Sequence, residues 1–233
     1  LEHPFKPASF LRRYKRFLAD LQMASGEVVT VHCPNTGAMT HCMVAGSPCW
    51  YSSSNSTKRK YAHTLELITT STGHLACINS SRANALVEEA IAQQLIKELT
   101  AYDAIKAEVK YGDENSRVDF LLSGANRADC YVEVKSVALG LKCGQGLFPD
   151  APSKRGTKHL RELIAMVRQR HRAVLLFCVQ HQGISRLSVA TQIDPDYSQT
   201  LTEAINAGVE VIAYKTEISS AELTLVSPLE CIF

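Results

Sequence analysis

The 233-residue chain has no apolar stretch long enough to cross a membrane. Its longest unbroken apolar run, Ala173 to Val179, is far short of the ~18 to 20 residues a spanning helix needs. No basic-then-apolar leader is visible either, so the expectation is a cytosolic protein without membrane contact. A C-x-x-C pair is also lacking. Cys33, Cys42, Cys49, Cys77, Cys130, Cys143, Cys178 and Cys231 are scattered, and the close pairings His32-Cys33 and His41-Cys42 match no standard zinc spacing. The cysteines therefore read as small apolar filler in a reducing compartment rather than as disulfides or metal ligands. There is no internal repeat, no low-complexity tract and no glycine spacing of a phosphate loop. A surplus of one charge is missing too: 25 Lys and Arg against 23 Asp and Glu leave +2, where a nucleic-acid partner usually calls for a clear basic excess.

That near-neutral sum conceals a split. Residues 1–80 carry eight Lys/Arg against four Asp/Glu, a balance of +4, and residues 81–233 carry seventeen against nineteen, a balance of −2. With 45% apolar and 21% charged residues, the composition is that of a globular chain long enough for one large domain or two small ones. The texture changes where the charge does. From residue 10 to about 79 short strand-like segments alternate with turn residues: Val28 to His32, Cys49-Trp50-Tyr51, Ala62 to Thr70 and His74 to Ile78, with Pro34-Asn35-Thr36-Gly37 as a tight turn. Five or so short strands in this span suit a small barrel over residues 1–80.

Ser81 to Leu99 then reads as a helix, with Leu86, Ala90, Leu95 and Leu99 on one stripe behind a Ser cap. Strand-like segments follow at Lys106 to Tyr111, Arg117 to Leu122 and Cys130 to Val137. A polar glycine-rich stretch, Gly140 to Gly156, comes next, and its loop Gly140 to Gly146, ahead of Phe148-Pro149-Asp150, reads as a mobile segment at the mouth of a site. Beyond it Leu160, Leu163, Ile164 and Val167 fall at helical spacing, with Lys158, Arg161 and Arg168 opposite. Ala173 to Gln180 is a continuous apolar strand, Tyr197 to Asn206 a helix closed by Gly208, and Val209 to Tyr214 a strand. Helices alternating with buried strands predict an α/β domain with a mixed central sheet over residues 81–233.

The chemistry concentrates between Arg117 and Val137. If the two strands there form a hairpin centred on Asn126, partners have numbers summing to 252 and Asp119 stands opposite Glu133. Lys135, two residues on, points to the same face. Carboxylates opposed across a ladder repel unless something compensates, and a divalent cation does so. Mg²⁺ (or Mn²⁺) takes a few carboxylate oxygens and several waters, with a nearby Lys to orient water or neutralise a phosphate. Spacing alone also admits a surface salt-bridged cluster. The apolar β-formers Tyr131, Val132, Val134 and Val137 argue for a strand set well inside the sheet. Basic residues interleaved with aromatics suit a nucleic-acid groove: Arg12, Arg13, Lys15 and Arg16 around Tyr14 and Phe17, and Lys58, Arg59 and Lys60 before Tyr61. A solvated charge run is the alternative. Lys158 and Arg161 could extend the basic track, and His159 could serve in proton transfer, phosphate contact, capping or packing.

The set Asp119 and Glu133-Val134-Lys135 resembles the D…E-x-K core of the PD-(D/E)xK nuclease superfamily, with Val118 where that pattern has Pro. More extensively, the chain resembles the bacterial sugar fermentation stimulation protein A family from about residue 10 to 220. The likeness is carried by Arg13 to Phe17, Cys33 to Met39, Thr57 to Tyr61, Glu108 to Gly112, Tyr131 to Val137, Phe148 to Ala151 and Lys158 to Leu163. The resemblance implies an OB-like barrel ahead of a restriction-endonuclease-like domain, DNA binding with little sequence preference and a part in expressing sugar-utilisation genes such as those for maltose. It further implies that Asp119 and Glu133 hold Mg²⁺ while Lys135 assists phosphodiester hydrolysis. A helix acid often joins such a site, which makes Glu89 a candidate metal ligand with Glu108 in reserve, unless each is simply solvated. A homodimer is compatible with the sequence.

Overall fold

The computed structural model describes residues 4–233. In the first half β1 (Lys6–Tyr14), β2 (Leu18–Met23), β3 (Val28–His32), β4 (Pro48–Ser53) and β5 (His63–Thr69) pair in the order β3-β2-β1-β4-β5. A parallel contact between His32 and Thr64 joins β3 to β5 and closes the ring. A three-strand meander closed by a hairpin is the five-stranded Greek-key barrel of the OB fold. Its interior is filled by Phe10, Ala19, Leu21, Val31, Leu65 and Ile68, and bulges at Leu11 of β1 and Glu66 of β5 bend those strands round it. β6 (Leu75–Cys77) adds to β5 and leads out of the barrel.

The second half opens with α1 (Arg82–Ala92), shorter than the helix expected over Ser81 to Leu99. The chain breaks at Gln94, which has φ = 57°, and Lys97–Leu99 form a separate 3₁₀ turn. Leu86, Ala90 and Leu99 are nonetheless buried, whereas Leu95 is exposed. Ser81 does not cap the helix: its hydroxyl donates to Asn79 Oδ1. There follow β7 (Ala104–Tyr111), β8 (Ser116–Ser123), β9 (Cys130–Val137), β10 (Leu139–Gly140), β11 (Gln145–Phe148), α2 (Lys154–Arg168), β12 (Arg172–Val179), β13 (Arg186–Val189), α3 (Pro195–Ala207), β14 (Glu210–Ile218), β15 (Leu223–Pro228) and β16 (Glu230–Ile232).

The main sheet has the order β15-β14-β12-β9-β8-β7, with β9, β12 and β14 parallel and the outer strands antiparallel. β12 is apolar throughout because both its faces are covered. Val174, Leu176 and Cys178 pack with α1 and with Phe5, Leu67 and Cys77 of the barrel half. Leu175, Phe177 and Val179 pack under α2 and α3. The stretch expected to be mobile is built into a second sheet, β10-β11-β13-β16. The reason is packing: Phe148 lies against Phe177 and Tyr197, and β11 pairs with β13 along its length. All eight cysteines are free thiols, and six of them are buried. No helix among the described residues is long and apolar enough to cross a membrane.

The two halves are stitched together through backbone. The N–H of Cys77 donates to the carbonyl of Gln180, that of Gln182 to Leu75, and between them buried His181 bridges Ala76. His181 Nδ1 accepts the N–H of Gly183. Burial, then the neighbouring His74, pushes its pKa down to about 4. The folded value lies below the ordinary ~6.5, so the unfolded chain takes up this proton first. Stability from this group is then complete above about pH 6.5 and falls towards pH 4, by about 3 kcal/mol in all. Melts between about pH 7.5 and 4.5 should show that decline, and His181→Gln should flatten it; identical profiles in the two proteins would assign it to another group.

Candidate functional site

β8 and β9 form the expected hairpin with the expected register: Phe120, Leu121 and Leu122 face Val132, Tyr131 and Cys130. One residue further the ladder stops. Asp119 does not pair with Glu133 strand to strand; its Oδ2 accepts the N–H of Val134 at 2.7 Å, and its Oδ1 accepts from Nδ2 of Asn84 on α1 at 2.8 Å. The ladder on the other side breaks at the same level. β7 pairs Ala107 with Phe120 and Val109 with Val118 but skips Glu108, whose φ is 55°. As a result, Val118 packs on the α2 face and Phe120 on the α1 face, although two such residues should share one. At Asp119 the strand has let go of both neighbours, and its carboxylate stands in the opening.

Glu133 and Lys135 alternate with Val132 and Val134, which pack towards α1, and so they look towards α2. Glu133 is only 2% exposed. Its Oε1 accepts from Lys135 Nζ at 2.6 Å and touches Nδ1 of His159, on α2. Arg155 Nε donates to His159 Nε2 at 3.3 Å. A guanidinium only donates, so Nε2 is the bare nitrogen and Nδ1 carries the proton given to Glu133. Glu133 Oε2, in contrast, is buried without a partner among the described residues, as are the hydroxyls of Tyr111 and Tyr197. Burial, then the charge of Glu133, holds both phenols well above their usual range.

The two carboxylates are driven apart in acidity. Burial, then Glu133, raises Asp119, against the opposing pull of the Val134 N–H, Asn84 and Lys135. Burial pushes Glu133 up as well, but Lys135 and His159 outweigh it and hold that carboxyl below the usual range. Two acids in mutual repulsion, one with an orphaned buried oxygen, make a donor set that a divalent cation fits. Among the described residues no cluster of three or more His, Cys, Asp or Glu forms. An ion held by these two acids would keep several waters, the habit of Mg²⁺.

Glu89 is exposed, its Oε1 accepting from Gln93 Nε2. Five residues from Asn84 in a 3.6-residue helix, it lies well round from the face that touches Asp119. Glu108 stands level with Asp119 but is exposed. The helix residue that meets Asp119 is thus Asn84, which the sequence reading passed over because a single amide beside an apolar stripe carries no signal. Glu162 was also missed. Only 2% exposed, it accepts the N–H groups of Asp113 and Glu114 and pins the β7–β8 turn to α2. Arg161 makes a bidentate pair with Glu114 at 2.8 and 2.7 Å, and Lys158 Nζ donates to the Glu114 carbonyl.

The basic runs fall on two loops of the barrel. Lys15, Arg16 and Phe17 join β1 to β2, and Lys58, Arg59 and Lys60 lie between β4 and β5, the pair of loops that OB barrels use for oligonucleotides. Lys15 and Arg16 hold left-handed φ values of 50° and 64°, and Phe17 is 47% exposed. Arg12 pairs with Asp20 at 2.8 Å. Arg13 is turned inward and donates to the carbonyls of Arg16, Asn35 and Gly37 at 2.7–2.9 Å, clamping the loop after β3. Arg13→Ala should therefore lower stability by about 1 to 3 kcal/mol in denaturant titrations, with Arg13→Lys failing to restore it. Unchanged stability would release Arg13 for a surface role.

Residues 11–78 match the family described as SfsA N-terminal OB domain, and residues 81–222 match the sugar fermentation stimulation protein RE domain. A sugar fermentation stimulation protein homolog of Shewanella baltica (strain OS185) is 56% identical over 222 residues, 95% of this chain and 94% of the relative. The homolog of Shewanella loihica is 53% identical over 223 residues, 96% and 95% of the two chains. The structure of Pyrococcus furiosus SfsA in complex with Ca²⁺ superposes with a TM-score of 0.87 and 28% identity, covering 99% of this chain and 96% of that one.

Proposed function

The chain belongs to the sugar fermentation stimulation protein family, and on that premise we propose that it binds DNA through its barrel with little sequence preference and holds a divalent cation between Asp119 and Glu133. The observation that carries the DNA half is the placement of the basic residues. Lys15, Arg16, Lys58, Arg59 and Lys60 are exposed on two loops at which OB barrels meet nucleic acid, and none forms an ion pair among the described residues. Long cationic side chains on loops neutralise phosphates and carry no base code, hence the weak sequence preference. Such contact is the route by which a protein of this family would act on the expression of sugar-utilisation genes.

The cation half rests on Glu133 Oε2, a buried oxygen with no partner among the described residues, beside a carboxyl that burial and then the charge of Glu133 raise. The Ca²⁺ complex of the Pyrococcus furiosus relative supports a divalent site in the family. When bound, Mg²⁺ would polarise a phosphoryl oxygen and make its water more acidic. The chain supplies the rest. Lys135 Nζ is anchored by Glu133 and has two further protons to offer to a phosphate oxygen or an attacking water. His159 fixes the Glu133 carboxylate, and Arg155 fixes His159. That arrangement favours a second reading, hydrolysis of a phosphodiester in the bound strand.

Five backbone contacts predict that log Kobs falls with log salt at a slope of about −4. Replacing Lys15, Arg16, Lys58 and Lys60 by Ala, with Arg13 left in place, should bring the slope to about −1. Affinity that is flat with salt, or unaltered in that variant, contradicts DNA binding through these loops.

A further inference from the structure

A cleft of about 630 Å³ separates the barrel from α1, and neither the metal pair nor the loop contacts account for it. Its floor is Glu66, 1% exposed and fully satisfied. Arg82 Nε and Nη2 donate to it at 3.0 and 2.9 Å, Ser52 Oγ at 2.6 Å and Asn79 Nδ2 at 3.0 Å. Arg82 is held from the other side by the ring of Phe5, 5.3 Å away. A guanidinium fixed so firmly leaves Nη1, which has no partner among the described residues, as a preset donor at the cleft wall. Arg59 and Lys60 line the same cleft without acidic partners among the described residues, and with the Glu66–Arg82 pair neutral the rim they form is cationic. Tyr61 completes it with a partly exposed ring, 5.7 Å from Lys60 Nζ.

Position along α1 links this cleft to the metal pair. Arg82 and Ala85 border the cleft, and Asn84, between them in sequence, bonds Asp119. These residues fall within one helical turn, about 5.4 Å of rise, but at about 100° per residue Asn84 projects about 200° round from Arg82, so a strand leaving the cleft curves round this turn of α1 to reach Asp119. A second cleft, about 920 Å³, adjoins the first and shares Ser52, Arg59 and Arg82 with it, giving a strand room to continue. Each volume is that of a small-ligand pocket, enough for a nucleotide and too small for a stacked duplex.

We propose that the cleft between the barrel and α1 takes one unpaired nucleotide, its phosphate on Arg59, Lys60 and Arg82 and its base against Tyr61, in a strand whose next phosphates pass Asp119. This rests on the nucleic-acid reading above and narrows it: the preferred substrate is single-stranded or frayed, because stacking on an aromatic ring requires a base released from its pair. A free mononucleotide offers the same chemistry but lacks the flanking phosphates, so it should bind far more weakly than a strand.

Fluorescence anisotropy in EDTA, with a single strand, a blunt duplex of the same sequence and a mononucleotide competitor, tests the proposal. The intact protein should favour the single strand over the duplex by at least about tenfold, the scale of one stacked base. Ala85→Glu places bulk and negative charge in the cleft from an exposed helix position that tolerates Glu. It should cut single-strand affinity by about tenfold or more and change duplex affinity by less than about twofold. Equal affinity for both forms, an equal loss of both in Ala85→Glu, no loss of either, or a mononucleotide that binds as tightly as the strand overturns the cleft proposal and leaves DNA binding standing. Failure to bind either oligonucleotide overturns the reading on which it rests.

Discussion

Asp119→Asn is expected to lower metal-dependent phosphodiester cleavage by at least about 100-fold and, in EDTA, to raise the melting temperature of the protein slightly. The two effects have one cause. Burial, then the charge of Glu133, raises the Asp119 carboxyl, so in metal-free protein at neutral pH its ionised form opposes folding. The substitution removes that charge, retains an oxygen for the Val134 N–H, and leaves Asn84 free to turn its own amide round. A salt-bridged cluster without a metal role behaves in the opposite way, losing stability when one acid is neutralised. Calorimetric melts in EDTA and cleavage assays with Mn²⁺ separate the alternatives. His159→Ala should act through Glu133 alone, weakening Mn²⁺ binding in titration calorimetry by about 10- to 100-fold. Unaltered Mn²⁺ affinity in His159→Ala would deny that residue its positioning role.

Gly112→Ala is expected to cost about 3 kcal/mol, which in a chain of this size lowers the midpoint of thermal unfolding by roughly 6 to 12 °C. Gly112 has φ = 67°, and a Cβ there would lie 1.8 Å from Oε2 of Glu162. That oxygen cannot retreat without releasing the Asp113 N–H, because Glu162 is the buried clamp of the β7–β8 turn. The strain therefore reaches the strand that carries Asp119. Alongside the melting shift, Mn²⁺ affinity should fall, whereas Gly26→Ala, at φ = 86° with nothing within 4 Å of a new Cβ, should lower stability and leave the metal site untouched. A Gly112→Ala protein that melts like the parent contradicts this account of the turn.

Periodicity is a property of neighbours in sequence, and what it governs was legible. The hairpin register from Phe120 to Leu122, the doubly buried strand at Ala173, the amphipathic helix around Leu160 and the barrel texture of the first half all follow from alternation and spacing. Lost from view were features set by contacts between distant segments. The pairing is interrupted at Asp119 because the left-handed backbone of Glu108, level with it on β7, and the amide of Asn84 act there together, and neither has a local signature. Arg13 lies in a basic run and looks identical to Lys15, yet carbonyls more than twenty residues away turn it inward. Gly140 to Gly146 has the composition of a loose loop, but several of its glycines are sites of close approach: a Cβ on Gly146 would sit 2.8 Å from Ile184. The charge split between the halves, +4 and −2, survives as a cationic pair of loops on the barrel and an acidic pair in the sheet.

The most direct test of a cation held between Asp119 and Glu133 is anomalous diffraction from crystals soaked in Mn²⁺. A single strong peak bonded to both carboxylates, with Glu133 Oε2 among its ligands, is the predicted result. An unoccupied site between them at saturating Mn²⁺, or a peak bound only to other residues, would contradict it.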